Sequence, residues 1–483
     1  MLEVRLQGHR RFFAVQDLLQ LFFGRAEILE SENLVRVPQG PCLTLTSRVG
    51  EGEVSTLRPD GSGPRATQPE DSHFLGRLIR VQLYDVLARE TGRHFPWGSL
   101  TGIRPTWLVT ERRREGWSGL DIARELVHFY RVSPARARLA LEVERTELSQ
   151  LTALEPGDFI LYIHIPFCPS RCGYCSFVTP AGVARPAAEH LAYVTALLED
   201  MDHFFQSSLW RSFSAAGRRI RALYIGGGTP IALAPEALDL LVGWLQEHDL
   251  LLGGTLERTI EAGRPDFFSP TVLGRLRDAG FTRICINPQS FSDELLQAAG
   301  RPHGRRESEA AFAMARAAGF PEIHMDLIGG LPGSTGATVL ADIRHALRLG
   351  PQSLTLHALA PKRGADWQDF VFQASGDLVQ SFDAAYRLLR RSGYLPGPLY
   401  RQKRIMAGLE NCTWALPGAG GLYNTAMLSD RVDVLGFGAG AMSKRVVAPG
   451  ELRRLAAPRE PGLYISRLAG HGQSRLALWE TEL

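Results

Sequence analysis

The stretch Tyr162-Ile-His-Ile-Pro-Phe-Cys168-Pro-Ser-Arg-Cys172-Gly-Tyr-Cys175-Ser-Phe177 decides the reading of this chain. The apolar run from Phe159 to Ile165 reads as a buried strand. Three cysteines follow at once, spaced x3 and x2, so three thiolates sit on one short loop. A four-iron cube held by three thiolates keeps one iron open to another ligand, which suits catalysis more than electron carriage. Structural zinc needs four protein ligands, and His164, on the preceding strand, is the available fourth. Disulfides fit poorly, with six cysteines in 483 residues and no sign of an oxidising compartment. Cys42, Cys285 and Cys412 are isolated and read as small core or surface residues.

Outward from this stretch, residues after 158 alternate between short apolar runs and amphipathic segments. Strands are expected near 159–165, 221–226, 256–262, 281–286, 322–328 and 353–357. Helices are expected near 187–206, 235–247, 269–279, 304–318 and 335–349. Six β-α units predict an α/β fold with a parallel sheet and right-handed connections. In such barrels the carboxyl ends of the strands carry function. Here those ends hold the cysteines, Gly226-Gly-Gly-Thr-Pro230, Glu261, Gln289 with Arg301 beyond it, Asp326 and His357-Ala358. Three glycines permit close backbone approach to a ligand, though a plain tight turn reads equally well. A carboxylate accepts hydroxyls or an ammonium, and an arginine forks onto a carboxylate. Glu261 or Asp326 alone fits a structural ion pair; ligand-type groups at successive strand ends do not.

The N-terminal part reads differently. Leu2 to Leu6 alternates, Phe13 to Phe23 has helical spacing, and Leu43 to Leu57 reads as a hairpin broken at Gly50 and Gly52. Residues 58–70 read as loop and 72–91 as helix. Trp97-Gly-Ser-Leu-Thr-Gly-Ile-Arg-Pro-Thr106 reads as a loop bracing two domains, Glu111-Arg-Arg-Arg as a solvated helix face, and 119–131 and 134–152 as amphipathic helices. Helix 377–392 and a Gly-rich stretch at 417–441 lie in the C-terminal part. The expected domains are 1–155 (α+β), 156–360 (barrel) and 361–483 (a mixed extension covering the substrate site).

Hydrophobic residues make up 45% and charged residues 22%, the proportions of a soluble globular protein. A net charge of +3 makes no case for nucleic acid. No apolar run is long enough to span a membrane, and the N-terminus has no signal-peptide core, so the cytoplasm is expected. Lysine occurs only at 362, 403 and 444, and the abundance of arginine reads mostly as coding bias.

Cys168-x3-Cys172-x2-Cys175, with Tyr174 before the last cysteine, resembles the radical S-adenosylmethionine (SAM) signature. The longer string from Tyr162 resembles oxygen-independent coproporphyrinogen III oxidases and their relatives, which include heme chaperones and heme-ring methyltransferases. Leu100-Thr-Gly-Ile-Arg-Pro-Thr106 resembles the longer, HemZ-type branch of coproporphyrinogen dehydrogenases. The resemblance implies a partial (β/α)6 barrel, a [4Fe–4S] cluster on Cys168, Cys172 and Cys175, and two SAM molecules. It implies Tyr162, Gly227 and Glu261 as contacts to one SAM, and Tyr174, Gly228, Thr229, Gln289, Arg301 and Asp326 as contacts to a second, with Ala358 as a further backbone candidate. It further implies cleavage of SAM to a 5′-deoxyadenosyl radical, hydrogen abstraction from two propionates of coproporphyrinogen III, and loss of CO2 to give the vinyls of protoporphyrinogen IX. Its partners would be the tetrapyrrole and an electron donor such as flavodoxin or ferredoxin, and a monomer is expected. Arg401, Lys403, Arg404, Lys362 and Arg363 are the candidates for gripping propionates, against a reading as solvated charge runs. Two features depart from the family pattern: no cysteine lies two positions after Cys175, and the N-terminal 150 residues exceed the brief arm of shorter oxidases. A heme chaperone and a tetrapyrrole methyltransferase are the rival functions. The chaperone's His-Asn-x-x-Tyr-Trp string has no counterpart in Gly421-Leu-Tyr-Asn424 or in Leu435 to Lys444.

Overall fold

The computed structural model describes residues 1–101, 104–369, 376–448 and 450–480. Two sheets organise them. The first has six strands, β1 (Leu2–Gln7), β2 (Glu27–Leu29), β3 (Leu34–Val37), β4 (Leu43–Gly50), β5 (Glu53–Leu57) and β6 (Arg65–Thr67), in the order β2-β3-β1-β4-β5-β6. Helices Phe12–Phe23 and Ser72–Thr91 bury their apolar faces against it. The β4–β5 hairpin turns on Glu51 and Gly52, both at positive φ, the backbone that a two-residue hairpin loop demands. Within the stretch expected to be loop, Arg65–Thr67 pairs with β5 and forms β6.

The second sheet has eleven strands. The first six in chain order run parallel: β7 (Phe159–Ile165), β8 (Ile220–Gly227), β9 (Glu257–Glu261), β10 (Arg283–Gln289), β11 (Glu322–Gly329) and β12 (Ser353–Ala358). Their helices, Ala187–Phe205, Pro235–Glu247, Pro270–Ala279, Arg305–Ala317 and Gly336–Leu349, alternate with them as the apolar periodicity predicts. β7 is buried along nearly its whole length, which is why it reads as a continuous apolar run. This is the partial barrel.

The residues after 360 extend that same sheet on both sides. β13 (Leu395–Tyr400) and β14 (Asn411–Ala415) add antiparallel beyond β12, and β15 (Asp433–Phe437) pairs parallel with β7. β16 (Met442–Ala448) and β17 (Glu451–Ala456) then continue antiparallel. The strand that leads into the cysteines therefore lies between β8 and β15. A buried bidentate pair pins the C-terminal helix Leu468–Glu480 to helix Ala187–Phe205. Arg475 donates to Asp200 at 2.6 and 2.8 Å, and the Tyr464 hydroxyl donates to the same carboxylate at 2.6 Å.

The segment before β7 is a brace. Trp97 is fully buried, and its Nε1 donates to Glu410 Oε2 at 2.6 Å; Arg136 pairs with the same carboxylate at 2.9 Å. Gly102 and Ile103 of this string lie outside the described residues. The Glu111-Arg-Arg-Arg run is not a solvated face. Arg112 forks onto Glu125 at 2.7 and 2.8 Å and covers the Trp117 ring, and Arg77 reaches Glu111 at 2.8 Å. The expected helix over 119–131 is a short α-helix, Gly119–Arg124, widened into a π turn at Glu125–Phe129.

Candidate active site

Parallel register brings the strand ends to one rim. His164 and Ile165 pair with Gly226 and Gly227, and Ile328 pairs with His357. The cysteine loop leaves β7 at this rim and is sewn to its neighbours by backbone bonds. Gly228 N–H donates to Ile165 O at 2.7 Å and Thr229 N–H to Phe167 O at 2.8 Å. Cys168 exchanges bonds with Gly182 and Ala184, both at 3.0 Å. Gly173 donates to Ala299 O at 3.2 Å and accepts from Trp367 N–H at 3.0 Å. A Cβ on Gly173 would lie 2.3 Å from the Trp367 ring, so only glycine fits directly after Cys172.

All three cysteines are free thiols, and two guanidiniums reach them. Arg264 Nη2 lies 3.7 Å from Cys168 Sγ and 3.8 Å from Cys172 Sγ; Arg301 Nη1 lies 3.7 Å from Cys172 Sγ and 3.2 Å from the Tyr174 hydroxyl. Thr229 Oγ1 is 3.3 Å from Cys168 Sγ. Burial pushes the Cys175 thiol up from its ordinary range.

Beside the loop, Gly227 has φ +106°, and a Cβ there would meet the His164 ring at 1.9 Å. Its N–H donates to Glu261 Oε2 at 3.2 Å, while the Tyr224 hydroxyl donates to Oε1 at 2.5 Å. Burial pushes Glu261 up to about 7 against those two hydrogen bonds. Tyr423 stacks on Tyr224 with centroids 4.2 Å apart and lies 5.8 Å from Tyr162, so an aromatic wall backs the carboxylate. Tyr423 comes from the helix Leu422–Leu428, whose last carbonyls are capped by Lys444 Nζ at 2.7, 2.9 and 3.0 Å.

Across the rim, Asp326 Oδ1 is bonded by His324 Nε2 at 3.1 Å and His357 Nε2 at 3.2 Å. Burial raises its carboxyl, but the charges and hydrogen bonds of these imidazoles outweigh it and hold Asp326 well below the usual range. Tyr400 and Asn411 bond His357 Nδ1 at 3.4 and 3.3 Å. Gln289 sits at φ +69° at the end of β10, and its buried Oε1 has no partner among the described residues. A non-glycine residue held in that conformation with an orphaned acceptor is the kind of strain found where a ligand completes a site.

The sequence-derived residues thus fall in two groups. Tyr162, Gly227 and Glu261 lie together; Tyr174, Arg301 and the cysteines lie together, with Thr229 and Gly228 between the groups and Asp326 on β11 across the rim. Arg401 is a correction. It is neither a substrate clamp nor a solvated charge: it donates to the carbonyls of Leu100, Gly408 and Leu409 and covers the Trp97 ring, serving the brace. Lys403 pairs with Asp17 of the N-terminal helix Phe12–Phe23 at 2.9 Å, and Arg404 donates to Gln368 O. Lys362 lies 5.1 Å over the Phe177 ring, and burial lowers its ammonium against the opposing pull of Cys175 and Asp326. Sequence reasoning missed Arg264 and His324. Arg264 sits in Glu261-Ala-Gly-Arg-Pro265, where nothing marks it from the many other arginines.

His164 is not placed as a zinc ligand; its ring packs against Gly227 and Gly440, and burial lowers it to about 4. Among the described residues no three His, Cys, Asp or Glu side chains converge on a single ion. A cube suits this loop better, because each thiolate binds a different corner iron and the three need not meet at a point. The two guanidiniums match the negative charge of such a group.

The model of the Radical SAM superfamily matches residues 162–346. The oxygen-independent coproporphyrinogen-III oxidase-like protein HemZ of Bacillus subtilis (strain 168) is 31% identical over 429 residues, which span 86% of this chain and 83% of that protein. This chain belongs to the HemZ-like branch of the radical SAM superfamily. The cofactors of that superfamily are a [4Fe–4S] cluster and SAM. The heme chaperone HemW of Escherichia coli (strain K12) is 31% identical over 303 residues, covering 62% of this chain and 74% of its own. The solved structure of the coproporphyrinogen III oxidase HemN from Escherichia coli superposes with a TM-score of 0.51 at 23% identity, covering 68% of this chain and 73% of that one. That likeness shows the same fold. No helix among the described residues is long and apolar enough to cross a membrane.

Proposed function

We propose that this chain is an oxygen-independent coproporphyrinogen III oxidase, converting two propionates of the substrate to vinyls. What supports the reading most is extent: the similarity to an oxidase-like relative runs over 86% of the chain and 83% of that relative. Cys168, Cys172 and Cys175 hold the cluster; Tyr162, Gly227 and Glu261 hold one SAM. Tyr174, Gly228, Thr229, Gln289, Arg301 and Asp326 hold a second. Bound together, the cluster and SAM supply a radical able to take hydrogen from an unactivated carbon. The chain's own part is placement. Tyr423, Tyr224 and Tyr162 screen one side of Glu261 from water. Lys362 offers the cation a substrate carboxylate requires, and the Asp326–His357–Tyr400 chain holds a proton beside it. An outside electron carrier of low potential is the partner.

The similarity to HemW favours a second reading, a heme chaperone. Anaerobic reconstitution with iron and sulfide, then incubation with SAM, reductant and coproporphyrinogen III, separates the two. Deoxyadenosine, CO2 and protoporphyrin forming together is the expected result. Stoichiometric heme retention without a new porphyrin would overturn it in favour of the chaperone, and a methylated tetrapyrrole in favour of a methyltransferase.

A further inference from the structure

Arg264 has no catalytic assignment, yet it is the side chain most intimately joined to the cysteine loop. It is 2% exposed and lies just beyond β9. Its Nη2 donates to Ser170 O at 2.7 Å and Ser170 Oγ at 2.6 Å, and reaches the sulfurs of both Cys168 and Cys172. Its Nη1 is buried and has no partner among the described residues. Arg301, 6% exposed, also reaches Cys172 and is otherwise anchored on the carbonyls of Gly263 and Asn287 at 2.9 and 2.7 Å and on His303 Nε2 at 2.9 Å. Among the described residues neither guanidinium is paired with a carboxylate. Two buried cations without a counter-ion are costly unless an anion occupies the space between them. Thiolates carrying an iron–sulfur cube are such an anion, and an electron added to the cube makes it more negative still.

We propose that Arg264 is a positioning and tuning residue for the cluster. It locks the Cys168–Cys172 loop through Ser170 and donates N–H bonds to two ligand sulfurs, raising the cluster's reduction potential and slowing its loss. Cationic donors to the sulfurs favour the reduced form, which bears the greater negative charge. Reach matters, because one terminal nitrogen, Nη2, makes all four contacts at the end of the longer arginine side chain, a position that a lysine ammonium falls short of. The inference rests on the cluster assignment and not on the tetrapyrrole reading, and its test contains no tetrapyrrole, so the two stand or fall separately.

The test is a redox titration of the reconstituted full-length protein followed by electron paramagnetic resonance, for wild type, R264Q and R264K, with iron and sulfide content and circular dichroism on the same samples. The expected result is unchanged secondary structure and a midpoint in R264Q lower by at least a tenfold change in the reduction equilibrium, which is 59 mV for one electron. R264K, keeping the charge and losing the reach, falls between. Iron should also be stripped faster from R264Q by a chelator. A wild-type midpoint in R264Q overturns the proposal. Should R264Q hold no cluster, R264K decides: a midpoint below wild type supports the proposal, and an equal one overturns it.

Discussion

Replacing Glu261 with Gln tests the site through its protons. Burial raises this carboxyl from 4.5 to about 7, against the hydrogen bonds from Tyr224 and Gly227. At 1.36 kcal/mol per unit, a rise of that size costs the ionised form about 3 kcal/mol. Part of Glu261 reaches solvent, which reduces the figure to about 2 kcal/mol. The sign follows from linkage: the carboxyl is at ease in the fold while protonated, and its contribution is lost as pH rises through 7. A cationic ligand such as SAM reverses that penalty, because it binds the ionised form. Between pH 8 and pH 6 the ionised fraction falls from about nine tenths to about one tenth, so SAM should bind about tenfold more weakly at pH 6. In E261Q that share of the pH dependence should vanish, and affinity at pH 8 should fall to the acid-side level. Anaerobic calorimetry of SAM binding at both pH values, on the cluster-loaded protein, reads this directly. An identical pH dependence in wild type and E261Q would refute the reasoning and remove Glu261 from the SAM contacts.

Alanine at Cys168, Cys172 or Cys175 should abolish the visible absorption of the reconstituted cluster, whereas alanine at Cys42, Cys285 or Cys412 should leave iron content unchanged. G227A, which drives a methyl into the His164 ring, should weaken SAM binding at least tenfold while iron content stays near wild type, as calorimetry and iron analysis would show. R475M leaves the Asp200 carboxylate buried without its counter-charge, and should destabilise the packing of the C-terminal helix by about 3–5 kcal/mol, seen in denaturant melts. K444M removes three hydrogen bonds from the helix that carries Tyr423, and should weaken SAM binding more than it lowers the unfolding midpoint.

The barrel was legible because parallel strands buried on both faces are unbroken apolar runs, each followed by a helix of period 3.6. β7 and helix Pro235–Glu247 have the bounds the pattern gives. The C-terminal strands were harder to read. β15 finds its partner, β7, some 270 residues earlier in the chain, and β13 and β14 join beyond β12; no local period encodes such pairings. In the site, the cysteines and the glycine loop announce themselves by spacing. Arg264 and Arg401 do not: one grips the cysteine loop and the other the brace, and only tertiary contact tells them apart from surface charge. His324 reads as one polar residue in a strand; it shares a face with Asp326 two positions on, but the Ser353 and Thr355 hydroxyls of β12 that bind its ring come into view only in the fold.

The pairing of β7 with β15 sets a timetable for biogenesis. The strand that feeds the cysteine loop lacks one neighbour until Asp433–Phe437 has left the ribosome, some 270 residues after β7 itself. A nascent chain stalled before that point carries the cysteines on an open flank. Iron and sulfide therefore meet a fully flanked β7 only once β15 has paired with it.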